Sequence, residues 1–209
     1  MPNRFVVALK WIVFPLCLVP LGVLVDQGFT DSLGPDPVAT ITHQTGFWAL
    51  YFLLISLAIT PIRRFHRRLA WLIRFRRMLG LFAFFYACLH ITTWIWLFSN
   101  FNVHTMAHDV VKRPFITVGF FAWLILLALA ATSTLWAIRK LGGQRWLWLH
   151  RAVYVAAIAG VIHYWWIVKT GVRTPWKVTV VLAILLLARL VWMVMESARK
   201  NRVTVATAA

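Results

Sequence analysis

The sequence predicts an all-α integral membrane protein, a bundle of six transmembrane helices, and three observations predict it. Of the 209 residues, 62% are hydrophobic and 13% charged, a balance that water-soluble domains do not show. The apolar residues gather into runs of about 20, the length that crosses a hydrocarbon core. The 22 Lys and Arg lie between those runs and not along one amphipathic stripe. Mean hydropathy is +0.78, and thirteen Trp and fifteen Phe add apolar surface that so short a chain cannot cover with polar groups. A soluble globule is excluded.

Taken in order, the first run covers residues 5–25. Arg4 and Lys10 give it the charged start of a signal peptide, but Asp26 and Gln27 follow without a small-x-small cleavage site, so it reads as a retained anchor. Pro15 and Pro20 should kink it. The second run, 46–62, is the shortest and is extended by His43 to Thr45; the third is 78–98. The fourth, fifth and sixth are 115–138, 146–168 and 175–195. One transmembrane domain, 1–209, is expected, since no loop is long enough for a separate domain and 14 residues follow Met195. No internal repeat is visible.

Loop charge orients the bundle. Sixteen basic residues fall on one side: Arg4 and Lys10, seven arginines from Arg63 to Arg77, Arg139, Lys140, Arg145, Arg151, and Arg199, Lys200 and Arg202 in the tail. Lys112, Arg113, Lys169, Arg173 and Lys177 fall on the other, with Asp26, Asp31, Asp36 and Asp109. Both termini are therefore expected in the cytoplasm. The net charge of +17 marks topology at an anionic membrane surface, not nucleic-acid binding. Cys17 and Cys88 sit in apolar runs outside any CxxC or CxxCH pattern, which argues against disulfides and covalently attached haem. Tryptophans near run ends, such as Trp94, Trp96, Trp165 and Trp176, read as interfacial anchors.

An ionisable side chain inside a span is costly and calls for a reason. His90 lies twelve residues past Met78 in the third run, and His150 and His163 are thirteen residues apart in the fifth. Both runs enter from the same side, so at 1.5 Å per residue His90 is roughly 18 Å deep and His163 roughly 22 Å. Two imidazoles at one depth on neighbouring helices can supply the axial ligands of a b-type haem. The alternatives are an interhelical hydrogen bond or a proton relay. A non-haem metal is disfavoured because no Cys, Asp or Glu accompanies them at ligand spacing.

His150 would suit a second haem nearer the cytoplasmic face, but its counterpart thirteen residues before His90 is Arg77. That haem would have a single or unusual protein ligand, with Arg76 or Arg77 pairing a propionate. Arg74, Arg76 and Arg77 on one rim, with Arg145 and Arg151 on the other, could equally hold a flavin phosphate or serve topology alone. His43 is a candidate propionate or quinone contact; His66, His104 and His108 are loop residues. Arg189 could snorkel to the headgroups or face the bundle and pair with an acid group. Gly80, Gly119 and Gly160 allow close approach of helices or a porphyrin.

Six segments occur in an order and spacing that resemble the YedZ or MsrQ family: Arg76-Arg77-Met78-Leu79-Gly80-Leu81, Leu89-His90, Arg113-Pro114-Phe115, Thr132-Ser133-Thr134, Trp148-Leu149-His150-Arg151 and Ile162-His163-Tyr164. Asp36-Pro37-Val38 and His43-Gln44-Thr45-Gly46 carry the likeness into the outer segment, so it spans nearly the whole chain. The resemblance implies a ferric-reductase-like fold and a haem-binding, multi-pass subunit of the bacterial inner membrane. It places the family histidines on His90, His150 and His163. It implies FMN, quinol or a cytoplasmic flavin reductase as electron donor, and a periplasmic molybdopterin-containing methionine sulfoxide reductase as the catalytic partner in repair of oxidised proteins. The family's wider relatives bind a second haem between paired histidines, from which Arg77 departs.

Three functions compete at this point. The chain is an electron-transfer subunit with no catalytic residue of its own, a ferric or oxygen reductase with a free acceptor, or a small proton-coupled transporter. No GxGxxG follows a strand and the residues after Met195 are too few for a nucleotide-binding domain, so electrons are expected from another molecule.

Overall fold

The computed structural model describes residues 3–168 and 175–208, without the side chains of Asn3, Arg67 and residues 199–208. The basic residues expected at Lys169 and Arg173, and the side chains of Arg199, Lys200 and Arg202, lie outside it. Among the described residues all regular structure is helical: α1 (Asn3–Phe29), α2 (Pro37–Phe65), a 3₁₀ segment (Arg67–Leu72), α3 (Ile73–Thr93) ending in a π turn (Trp94–Phe98), α4 (Val103–Lys112), α5 (Pro114–Ala131), α6 (Leu135–Leu141), α7 (Gly143–His150), α8 (Val153–Ile167) and α9 (Trp176–Ala208). Six helical stretches are long and apolar enough to cross a membrane, the third, fifth and sixth running over Arg68–Phe98, Gly143–Ile167 and Trp176–Ala198.

Two helical hairpins form the centre, α2 against α3 and α5 against α8, with α1 and α9 packed on the outside of the first. In its most apolar stretch α2 is 44% buried and α1 only 11%, so α2 is the axis of the bundle and α1 its lipid-facing edge. Leu53, Leu57, Phe82, Ala83, Tyr86, Ala156 and Ala157 meet in the interior. Large side chains such as Trp11, Ile184, Leu187 and Met193 point outward, as a bilayer requires.

Hydropathy misplaces two helix ends, each for a polar reason, and runs two helices together as one. α2 begins at Pro37 and not near residue 46, because the Asp36 carboxylate accepts the Ala39 N–H at 2.9 Å and proline suits the first turn. The hydroxyls of Thr42 and Thr45 turn back onto the carbonyls of Val38 and Ile41, so this polar stretch stays helical. The fourth run does not continue to residue 138: α5 stops at Ala131, where the Thr132 and Ser133 hydroxyls take the carbonyls of Ala128 and Leu129 and Thr134 caps α6. The fifth run is two helices, broken at Arg151 and Ala152.

Tyr86 pins α1. Its hydroxyl donates to the Cys17 carbonyl at 2.9 Å and accepts the Leu21 N–H at 3.1 Å, bridging groups one helical rung apart beside Pro20.

Candidate functional site

His90 projects from the last turn of α3 toward α2, and its Nδ1 lies 2.9 Å from the Thr42 carbonyl. His163 projects from α8 toward α5, and its Nδ1 lies 2.7 Å from the Phe115 carbonyl. A carbonyl only accepts, so Nδ1 carries the proton on both rings and each Nε2 keeps a free lone pair. The two rings are neighbours, with centroids 5.9 Å apart and planes at 79°.

Glycine makes both placements. A Cβ on Gly46 would come within 3.0 Å of the His90 ring, and one on Gly119 within 2.7 Å of the His163 ring. A side chain at Gly119 would force the His163 ring to move, and one at Gly46 would press the His90 ring by a few tenths of an ångström. In each hairpin the carbonyl stands one helical turn before the glycine, and carbonyl and histidine are separated by 48 residues. The same carbonyl, glycine and histidine arrangement thus occurs twice. Little of this shows in the sequence: at a spacing of 73 residues the glycine, the phenylalanine after it (Phe47, Phe120), an alanine (Ala49, Ala122) and the histidine recur, whereas Thr42 and Phe115 contribute backbone, which leaves no residue signature. Phe47, next to Gly46, meets Tyr164, next to His163, edge-on at 5.0 Å and joins the hairpins beside the rings.

This geometry fits a metal held between two imidazoles. With imidazole–metal bonds of about 2 Å, two rings bound through Nε2 on opposite sides have centroids roughly 6 Å apart. The carbonyl behind each ring fixes tautomer and orientation, the usual support for a ligating histidine. No cluster of three or more His, Cys, Asp or Glu suited to a metal ion occurs among the described residues, so the pair suits a cofactor bringing its own equatorial ligands.

His150 stands apart. Its Nε2 is 3.2 Å from the Thr132 hydroxyl, and its ring stacks on Trp146 at 4.0 Å, itself bonded to the Thr132 carbonyl. Of the arginines expected around it, Arg76 turns inward, with Nη1 3.4 Å from the Thr60 hydroxyl. Arg77 is exposed, and the exposed Arg151 stacks over Trp148 at 4.4 Å. The structure therefore brings His90 and His163 together, sets His150 beside Thr132 and Trp146, and turns Arg77 and Arg151 away from the interior. His43, His66, His104 and His108 are exposed. Arg189 faces the bundle: its guanidinium donates to the Leu57 carbonyl at 3.2 Å and covers the Tyr154 ring at 4.6 Å.

Residues 45–161 match the family described as "Ferric reductase like transmembrane component". A protein of Herminiimonas arsenicoxydans named "Protein-methionine-sulfoxide reductase heme-binding subunit MsrQ" is 50% identical over 195 residues, 92% of this chain and 89% of its own. Proteins of the same name from Ralstonia nicotianae and Azospira oryzae are 43% and 46% identical, over 97% and 93% of this chain and 94% and 82% of theirs. The chain belongs to the MsrQ family. As an MsrQ-family, ferric-reductase-like chain it is a multi-pass membrane protein. The part matched to the wider ferric-reductase-like family begins at Thr45, inside α2, and includes Gly46, His90, Gly119 and His150. It ends two residues short of His163.

Proposed function

We propose that this chain is the haem-binding, electron-transferring membrane subunit of a protein-methionine-sulfoxide reductase system, with His90 and His163 as the axial ligands of a b-type haem. The observation that carries the proposal is the matched pair of imidazoles, each with Nδ1 committed to a backbone carbonyl and Nε2 free, 5.9 Å apart. Haem iron, when bound, supplies one-electron chemistry inside the bilayer. The chain's own residues prepare for it: the Thr42 and Phe115 carbonyls hold a proton on each Nδ1, and Gly46 and Gly119 admit the rings. Surrounding lipid-facing helices exclude water.

In this reading the protein sits in a bacterial inner membrane with both termini cytoplasmic. It delivers electrons to a periplasmic molybdopterin-containing catalytic subunit that repairs oxidised methionine. Quinol or a cytoplasmic flavin reductase is the donor. FMN is a further cofactor, and His150 is the single histidine available to a second haem. The relatives' names support the haem and the reductase partner; the basic loops support the orientation.

The purified chain is expected to give a reversible low-spin haem spectrum that His90→Ala and His163→Ala each abolish. Full retention in either variant would defeat the ligand pair, and absence of haem from the native chain would favour a proton-coupled transporter. Deletion should impair periplasmic methionine sulfoxide reduction; loss of iron reduction alone would favour a free acceptor.

A further inference from the structure

At the end of the bundle remote from His90, helices α2, α3 and α9 bring three guanidinium groups together below the rim. Arg76, fourteen residues before His90 on α3, is roughly 21 Å from it along the helix at 1.5 Å per residue. Its Nη1 contacts the Thr60 hydroxyl at 3.4 Å. Arg189 of α9 contacts the Leu57 carbonyl, one turn away on the same helix, at 3.2 Å. That carbonyl is available because Pro61, four residues on, has no N–H to offer it. Tyr154 lies under the Arg189 guanidinium at 4.6 Å. Arg63 is close enough to Arg76, and Arg76 to Arg189, for like charges to repel.

A snorkelling arginine extends its charge into water. Arg189 does the reverse: it is held by a proline-freed carbonyl and an aromatic ring. Its Nε and that of Arg63 are buried with no hydrogen-bond partner. None of the three forms a salt bridge among the described residues; the acid on this side, Glu196, pairs with the more exposed Arg64 at 3.7 Å. Arg63, Arg76 and Arg189 are half-buried, and cations drawn below the rim in mutual repulsion with no anion beside them are costly in a bilayer. Forked N–H donors from two or three arginines match the oxygens of a phosphate.

We propose that Arg76 and Arg189, assisted by Arg63, form a binding site for a phosphate group between α2, α3 and α9. The inference is independent of the haem at His90 and His163. The phosphate is free, carried on a lipid headgroup or carried on a nucleotide such as a flavin mononucleotide, and these share one chemistry.

The test is arginine-selective dicarbonyl labelling of the full-length chain in nanodiscs, read by peptide mass spectrometry, with the haem spectrum recorded on the same samples. Labelling of Arg189 and Arg76 is followed in neutral phosphatidylcholine, with added phosphatidylglycerol, with inorganic phosphate, and with flavin mononucleotide against riboflavin. Protection by at least one phosphate-bearing probe supports the site, and the probe that protects identifies the source. Arg189→Gln should weaken that probe roughly tenfold, the size of a lost charge-assisted hydrogen bond. Arg189→Lys should retain part of the binding, and Arg139→Gln, at an exposed position, all of it. Protection by no probe, or equal binding by native chain and Arg189→Gln, overturns the proposal. An unchanged haem spectrum in Arg189→Gln shows that the fold survives; if that variant fails to fold, Arg189→Lys with the probe series decides.

Discussion

His163 is held more tightly than His90: the Phe115 carbonyl is 2.7 Å from His163 Nδ1, and a Cβ on Gly119 would stand 2.7 Å from that ring, against 2.9 Å and 3.0 Å for His90 with Thr42 and Gly46. Interiors this close cannot absorb even one methyl group without moving something, and here the movable object is the imidazole itself.

Gly119→Ala is therefore expected to displace His163 from its carbonyl and to remove or strongly broaden the low-spin haem absorption, with a shifted midpoint potential in any haem that remains. Gly46→Ala should do the same to a smaller degree. Gly22→Ala is the contrast, because nothing lies within 4 Å of its added Cβ. Optical redox titration of the three variants checks the order; equal spectra for Gly119→Ala and Gly22→Ala would refute the steric account.

The 79° between the imidazole planes makes a spectroscopic prediction. If His90 and His163 hold a haem iron at this angle, the oxidised protein should show a strongly anisotropic low-spin electron paramagnetic resonance signal. A rhombic signal typical of parallel rings would mean that the pair rotates on loading.

Tyr86→Phe removes the hydroxyl that joins α1 to the core through the Cys17 carbonyl and the Leu21 N–H. Leaving those groups with a buried unmet partner costs about 1–3 kcal/mol. A lower thermal midpoint is expected, together with faster maleimide labelling of Cys17, which is only 4% exposed in the native fold. Unchanged labelling would show that α1 is held by its other contacts.

Much of the architecture was legible because the bilayer leaves few options: long apolar runs must be helices. The pairing of His90 with His163 followed from depth arithmetic on two helices entering from one side. The limits of α2 and α5 were not legible from hydropathy, since Asp36, Thr132 and Thr134 act through hydrogen bonds to specific backbone groups. Depth arithmetic also favoured Arg77 opposite His150, whereas a helix shows only one of two adjacent residues to the interior, and that residue is Arg76.

By itself the sequence determined the solvent of this protein, the number of its apolar helices and the imidazoles that could share a cofactor, because these depend on residue type and on distance along one helix. Tertiary structure alone decided which carbonyl stands behind each imidazole, which glycine makes room for it and which arginine turns inward. Those choices depend on the rotation of one helix against another, and that rotation is set by packing across the bundle.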